Sequence, residues 1–173
     1  MFLKKVFTLL ICFFVSCNLF AQTSLLFIKE MPISGHQKEM RQFLKSNGFS
    51  HNACGDFFSG VIDGKNVDVI LTGKKKKVGT VGIIQKPSTD ALWMEYNRFV
   101  DILLNDRYTS RIMVNHLSSA SIDKVRVIAY PELYRSIFFL SDVDILASVS
   151  IVVLNGELYL LSSFRSFDGW RNK

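Results

Sequence analysis

The chain has 173 residues, of which 49% are hydrophobic, 13% aromatic and 21% charged, a balance that excludes intrinsic disorder, collagen-like repeats and low-complexity polymers. Its formal net charge of +6 is a mild basic excess, too small to mark a dedicated polyanion binder.

The amino end is set apart from the rest. Lys4 and Lys5 precede an apolar run from Val6 to Val15, too short for a membrane span and suited to the central region of a secretory signal. Leu19 and Ala21 occupy the positions three and one before Gln22, so residues 1–21 read as a signal peptide cleaved between Ala21 and Gln22. Two alternatives are lipid attachment at Cys17, where Val15, Ser16 and Cys17 resemble part of a lipobox, and an uncleaved anchor. Cleavage removes Lys4 and Lys5 and no acid, leaving 152 residues with a net charge of +4. That length forms a self-sufficient core as one domain, residues 22–173. Cys12 and Cys17 leave with the signal, so Cys54 has no partner for an intramolecular disulfide.

In chain order, residues 24–31 read as a strand ending at Pro32. A helix follows over Gly35–Asn47, with Ser34 as N-cap, Gln37 in capping-box position, an apolar stripe of Met40, Phe43 and Leu44, and Gly48 just past its end. Stretches around Asp56–Ile62, Asn66–Leu71 and Val78–Gln85 have hairpin spacing, separated by Asp63-Gly64 and by Gly73 with a lysine run. Leu92, Tyr96, Phe99, Val100, Leu103 and Leu104 predict a second helix, capped by Ser88 or Thr89 and ending near Asn105. Four strands are expected beyond it: Val125–Tyr130, Tyr134–Leu140, Ile145–Leu154 and Glu157–Phe164, the last two joined by a type I′ turn at Asn155-Gly156. The predicted order is β-α-βββ-α-ββββ, an α+β class with a mostly antiparallel sheet and two helices on one face. A faint echo between the two β-rich blocks is too weak to be a repeat.

Taken together, MPISG (residues 31–35), GF (48–49), FFSGVIDGKNVDVIL (57–71), YNRFVDILLNDRYT (96–109) and VSIVVLNGELYLLSSF (149–164) resemble a family of small exported proteins of anaerobic Gram-negative gut bacteria. The chain departs from that pattern at Lys29 and Glu30, where a glycine usually precedes the isoleucine-proline step. The resemblance implies export and an α+β fold. Its motifs are structural punctuation, so it transfers no site.

No motif carries a metal, cofactor or nucleophile mechanism, and no cofactor is expected. His51 and Cys54 lie three residues apart, but no third, orienting group is identifiable by spacing, so an inert loop thiol is the reading. His36, His51 and His116 are scattered without HxH or HExxH spacing. Asp142 and Asp144, and Asp63, Asn66 and Asp68, place oxygens at turns without the pattern of a calcium loop. Glu95, Asp101, Glu132 and Glu157 are carboxylates whose pairing spacing does not reveal.

Lys74, Lys75, Lys76 and Lys77 are the conspicuous polar feature. They read as a solvated hairpin tip that discourages edge pairing. A sharper reading is a weak contact with anionic surface polymers or lipid headgroups. Nucleic acid is excluded by export and by the lack of stacking aromatics among the lysines. Trp93 lies beside the helical stripe and reads as core, whereas Trp170 in the polar tail reads as a weak candidate anchor for sugar or protein recognition.

The expectation is an exported, non-catalytic binding or accessory protein of the cell envelope, periplasmic or secreted, acting on an envelope or extracellular macromolecule. A small hydrolase assembled only in three dimensions and an inhibitor or immunity-type protein are the alternatives.

Overall fold

The computed structural model describes residues 25–118 and 122–167. Ala21, Gln22, Cys17 and Trp170 lie outside the described residues, as does the expected signal peptide. A single sheet of eight strands holds the described chain together: β1 (Ser50–Asn52), β2 (Phe57–Ile62), β3 (Lys65–Thr72), β4 (Thr80–Gln85), β5 (Thr109–Met113), β6 (Arg135–Leu140), β7 (Ile145–Leu154) and β8 (Glu157–Ser166). Its order is β1-β2-β3-β4-β8-β7-β6-β5, with every neighbouring pair antiparallel. Two four-stranded meanders thus start at opposite edges and run inward until β4 meets β8.

Four helices complete the described fold: α1 (residues 25–30), α2 (Gln37–Ser46), α3 (Leu92–Leu104) and α4 (Lys124–Ala129). The class is α+β, as expected, but the element order differs in four places. Residues 24–31 do not form a strand. Leu25, Ile28 and Met31 turn inward at three-residue spacing while Leu26 is 55% exposed, a helical pattern that two-residue alternation does not produce. Val125–Tyr130 is not a strand either. Asp123 caps α4 by accepting the Val125 N–H at 2.9 Å, and only Val127 of that helix is buried while Val125 is 71% exposed. Local capping and one buried contact override the β-propensity of its branched residues. The two strands absent from the expectation, β1 and β5, are both short edge strands.

The alternation of the strands sorts the sheet into two faces. Phe58, Val67, Val69, Val81, Phe138, Ala147, Val149, Leu160 and Phe164 point to one side and form a single apolar cluster with Ile28, Met40, Leu44, Tyr96, Leu103 and Val127 of the four helices. The other face carries Ile84, Ile137, Leu146, Ser148, Tyr159, Leu161 and Ser163, in register across β4, β6, β7 and β8.

Two polar constructions fasten the long connections to this core. Tyr96 is fully buried, and its hydroxyl lies 2.8 Å from Ser136 Oγ. The same oxygen accepts the Asn115 N–H at 2.9 Å, and Ser136 donates back to the Asn115 carbonyl at 3.2 Å. Burial away from water raises the Tyr96 pKa. Asn97 adds a two-point clamp on Leu117, donating to its carbonyl and accepting its N–H. At the other end, Lys29 of α1 bridges Asp106 (3.0 Å) and Asp142 (2.6 Å). Burial alone would pull the Lys29 ammonium down, but the hydrogen bonds it donates to Asp142 and Asp106, with the attraction of their charges, outweigh it and hold its pKa above the ordinary value.

Ser136→Ala strands both the Tyr96 hydroxyl and the Asn115 N–H, and is expected to cost about 2–3 kcal/mol in urea unfolding. Tyr96→Phe, which leaves Ser136 on Asn115, is expected to cost about 1 kcal/mol. Equal costs would show that the Asn115 N–H finds another acceptor.

Candidate functional site

The lysine run is not the free hairpin tip that its composition suggests. It occupies the connection between β3 and β4, where Thr72 faces Thr80 and Gly79 N–H donates to the Thr72 carbonyl at 2.6 Å. Lys75 and Lys76 both adopt left-handed backbone, with φ of 53° and 66°, and so fold the loop back toward α2. There the Gln37 N–H donates to the Lys76 carbonyl at 2.8 Å and the Val78 N–H to the Gly35 carbonyl at 3.1 Å, with His36 and Lys77 paired as an antiparallel bridge. Gly73 permits the close turn, because a Cβ at that position would lie 1.9 Å from the Lys77 carbonyl oxygen.

The bridge also explains where α2 begins. Extended pairing holds His36 at φ −78° and ψ 147°, so the helix starts at Gln37 rather than after the expected cap, Ser34. The Lys76 carbonyl satisfies one otherwise unpaired N–H of the first turn. Glu39 accepts the His36 N–H at 3.0 Å.

This docking brings a second set of cations beside the first. Lys38, Arg41 and Lys45 recur at three and four residues along the polar side of α2, and line an open groove of about 720 Å³ with His36, Gln37, Glu39, Gln42 and Lys76. Arg41 is committed to Asp56 at 3.0 Å. Lys38, Lys45 and Lys74 to Lys77 are exposed, and among the described residues none of the six has a carboxylate within ion-pair distance. Lys38, Arg41 and Lys45 were recognisable as a helical stripe, but nothing local indicated that it meets the lysine run.

The other expected site residues are dispersed. Cys54 is exposed, and its N–H donates to Asn52 Oδ1 in a local turn. An acid does stand beside His51, since Asp56 Oδ1 lies 3.2 Å from Nε2, but the same oxygen is held by Arg41 and the imidazole rests on the Phe58 ring. Hydrogen bonds from His51 and Arg41 lower the Asp56 pKa. Among the described residues no bond joins the Cys54 thiol to that ring. His36 precedes α2, and His116 lies 2.9 Å from Asp101. Glu95 sits between Lys65 and Arg98, and Glu157 pairs with Lys86. Glu132 stands exposed on the turn before β6. The four carboxylates therefore have separate surroundings. Asp142 is bound to Lys29, and Ser59 donates to Asp68 on the sheet face away from the core. No group of His, Cys, Asp and Glu among the described residues has the arrangement of a metal site.

Asp63 is the unexpected acid. It occupies the β2–β3 turn at φ 51°, yet its side chain is only 4% exposed and neither carboxylate oxygen has a hydrogen-bond partner among the described residues. It borders a cavity of about 30 Å³, roomy enough for one water. Burial raises its pKa, opposed in part by Arg98 and Lys65.

Compared with known protein families, curated proteins and solved structures, the chain matches none. Among the described residues no helix is long and apolar enough to cross a membrane.

The sign of the Asp63 effect follows from linkage. A carboxyl whose pKa is raised by folding costs the fold stability as pH rises above the ordinary aspartate range and through the folded value, and costs nothing below both. Asp63→Asn keeps a side chain suited to left-handed backbone and is expected to raise Tm by about 2–5 °C at pH 7. The gain over the parent should vanish toward pH 3. A lower Tm at pH 7 would mean that Arg98 and Lys65 more than compensate the buried charge.

Proposed function

We propose that this is an exported, non-catalytic accessory protein of the cell envelope that holds to anionic surface polymers through the face formed by α2 and the lysine turn. The observation that carries the reading is the backbone pairing of residues 35–37 with 76–78, which joins Lys74 to Lys77 to Lys38 and Lys45 as one surface of cations that have no acidic partner among the described residues. A repeating polyanion suits it better than a bilayer. Lys38 and Lys45 are separated by about 10 Å along the helix axis, and the groove between them and Lys76 is lined by polar and charged side chains alone. A surface that enters a membrane interface presents apolar side chains as well.

Retention on an immobilised acidic polysaccharide is expected to fall steeply between about 50 and 300 mM salt, as the Debye length shortens from about 14 to 6 Å. Replacing Lys74 to Lys77 by Gln should weaken retention at least about tenfold, and Lys38→Gln with Lys45→Gln should weaken it several-fold, at about 1 kcal/mol or less per charge. Salt-independent retention, or retention unchanged in both variants, would overturn the reading. Binding to anionic vesicles in preference to the polysaccharide would reassign the surface to lipid headgroups.

Export rests on Lys4, Lys5, the apolar run after them and Ala21. Mass spectrometry of the protein from envelope fractions should find Gln22 at the amino terminus. Lipid on Cys17 would place the protein on a membrane anchor instead, and an intact Met1 on a cytoplasmic species would refute export.

A further inference from the structure

The sheet face turned away from the helices contains a hollow whose shape follows from the strand register. Three successive rows cross it: Arg165, Leu146 and Phe139; Gly82, Ser163, Ser148 and Ile137; Leu161, Ser150 and Arg135. The middle row is small over β4, β8 and β7, so the surface dips between larger neighbours. The resulting hollow of about 330 Å³ is walled by Ile112, Ile137, Leu146 and Phe167. Phe167 is set against Phe139, with ring centres 4.9 Å apart.

The polar groups at this hollow are few and of one sign. Arg165 Nε donates to Thr80 Oγ1 at 3.3 Å, which fixes the guanidinium at the rim and leaves its terminal nitrogens without a carboxylate among the described residues. Arg135 stands at the opposite corner, since its partner on β7 is Ser150 whereas that of Arg165 is Leu146. Its guanidinium also has no acidic partner among the described residues. On the floor, Ser148 and Ser163 hydroxyls are hydrogen-bonded to each other at 2.7 Å. One proton satisfies that bond, so the other hydroxyl proton is still available to a ligand.

We propose that this hollow binds a single-chain aliphatic carboxylate, its head on Arg165 and its chain lying over Ile137 and Leu146 toward Ile112. The volume stands at the lower end of small-molecule sites, which admits one chain and not a two-chain lipid. Apolar walls supply the affinity for the chain, and a guanidinium already oriented by Thr80 pays less ordering entropy than a free one when it receives the carboxylate.

Titration of the purified protein with decanoate, followed by amide resonances, tests the assignment, with decanol as the uncharged probe of equal length. Decanoate should bind saturably and shift the resonances of Ile112, Ile137, Leu146 and Ser163. Arg165→Gln should weaken it at least about tenfold, Arg135→Gln by no more than about threefold, and decanol should bind at least about tenfold more weakly than decanoate. Ile112 is 57% exposed on an edge strand, so Ile112→Glu retains the fold and should also weaken decanoate by opposing its charge. Absence of saturation, equal binding of decanol, or decanoate binding untouched by Arg165→Gln and Ile112→Glu would overturn the proposal.

Discussion

The ladder between β4 and β8, running from Val81 against Phe164 to Gln85 against Leu160, is the contact on which the remaining architecture depends. Neither meander covers its inner edge alone. The first ends on β4 with a row of unpaired backbone groups, and the second ends on β8 in the same condition. Joining them places Val81 and Ile83 beside Phe164 and Ser162, and aligns the two apolar surfaces into the face that the helices cover. Nearly eighty residues separate the partners, so this closure has a high loop-entropy cost and belongs to the slower, non-local class of folding events.

Legibility in the sequence follows the range of the interaction that decides each element. The turns at Asp63-Gly64 and Asn155-Gly156 were visible because their left-handed backbone, with φ of 51° and 75° in one and 51° and 76° in the other, is a local requirement with a local residue signature. β7 occupies Ile145–Leu154 as expected, and α3 follows its apolar periodicity. α1 and α4 were not visible, because Leu25 to Glu30 and Val125 to Ala129 carry few strong helix signals and are shaped by what they touch. β1 and β5 escaped notice for the opposite reason: exposed edge strands have no buried alternation to read. Of the basic surface, the lysine run was plain. Its union with Lys38 and Lys45 depends on backbone bonds between segments about forty residues apart, and no composition argument reaches that far. Asp63 was visible only as one of several turn oxygens, because its burial depends on Ile28 of α1 and on Arg98 and Phe99 of α3, which line the same cavity from distant parts of the chain.

Charge is distributed unevenly over the molecule. Several acids, half-buried and exposed, end in a specific pair: Asp106 and Asp142 with Lys29, Glu95 with Lys65 and Arg98, Asp56 with Arg41. Such pairs use equal numbers of both signs and leave the lysines of α2 and the β3–β4 turn without an acidic partner among the described residues. The modest net charge therefore understates the local field at that surface, since low overall charge with segregated pairing concentrates what excess there is.

Four consecutive lysines in an exposed loop would ordinarily be the first place where a trypsin-like protease opens a chain. Here the scissile backbone is unavailable in the form such an enzyme grips. A protease draws its substrate into an extended strand, whereas Lys75 and Lys76 are both left-handed and the Lys76 carbonyl is hydrogen-bonded to the first turn of α2. Cleavage must await the peeling of the loop from the helix. The docking that gathers the cations thus also shields the bonds between them, because the residues a trypsin-like enzyme would recognise are held in a backbone shape it does not accept.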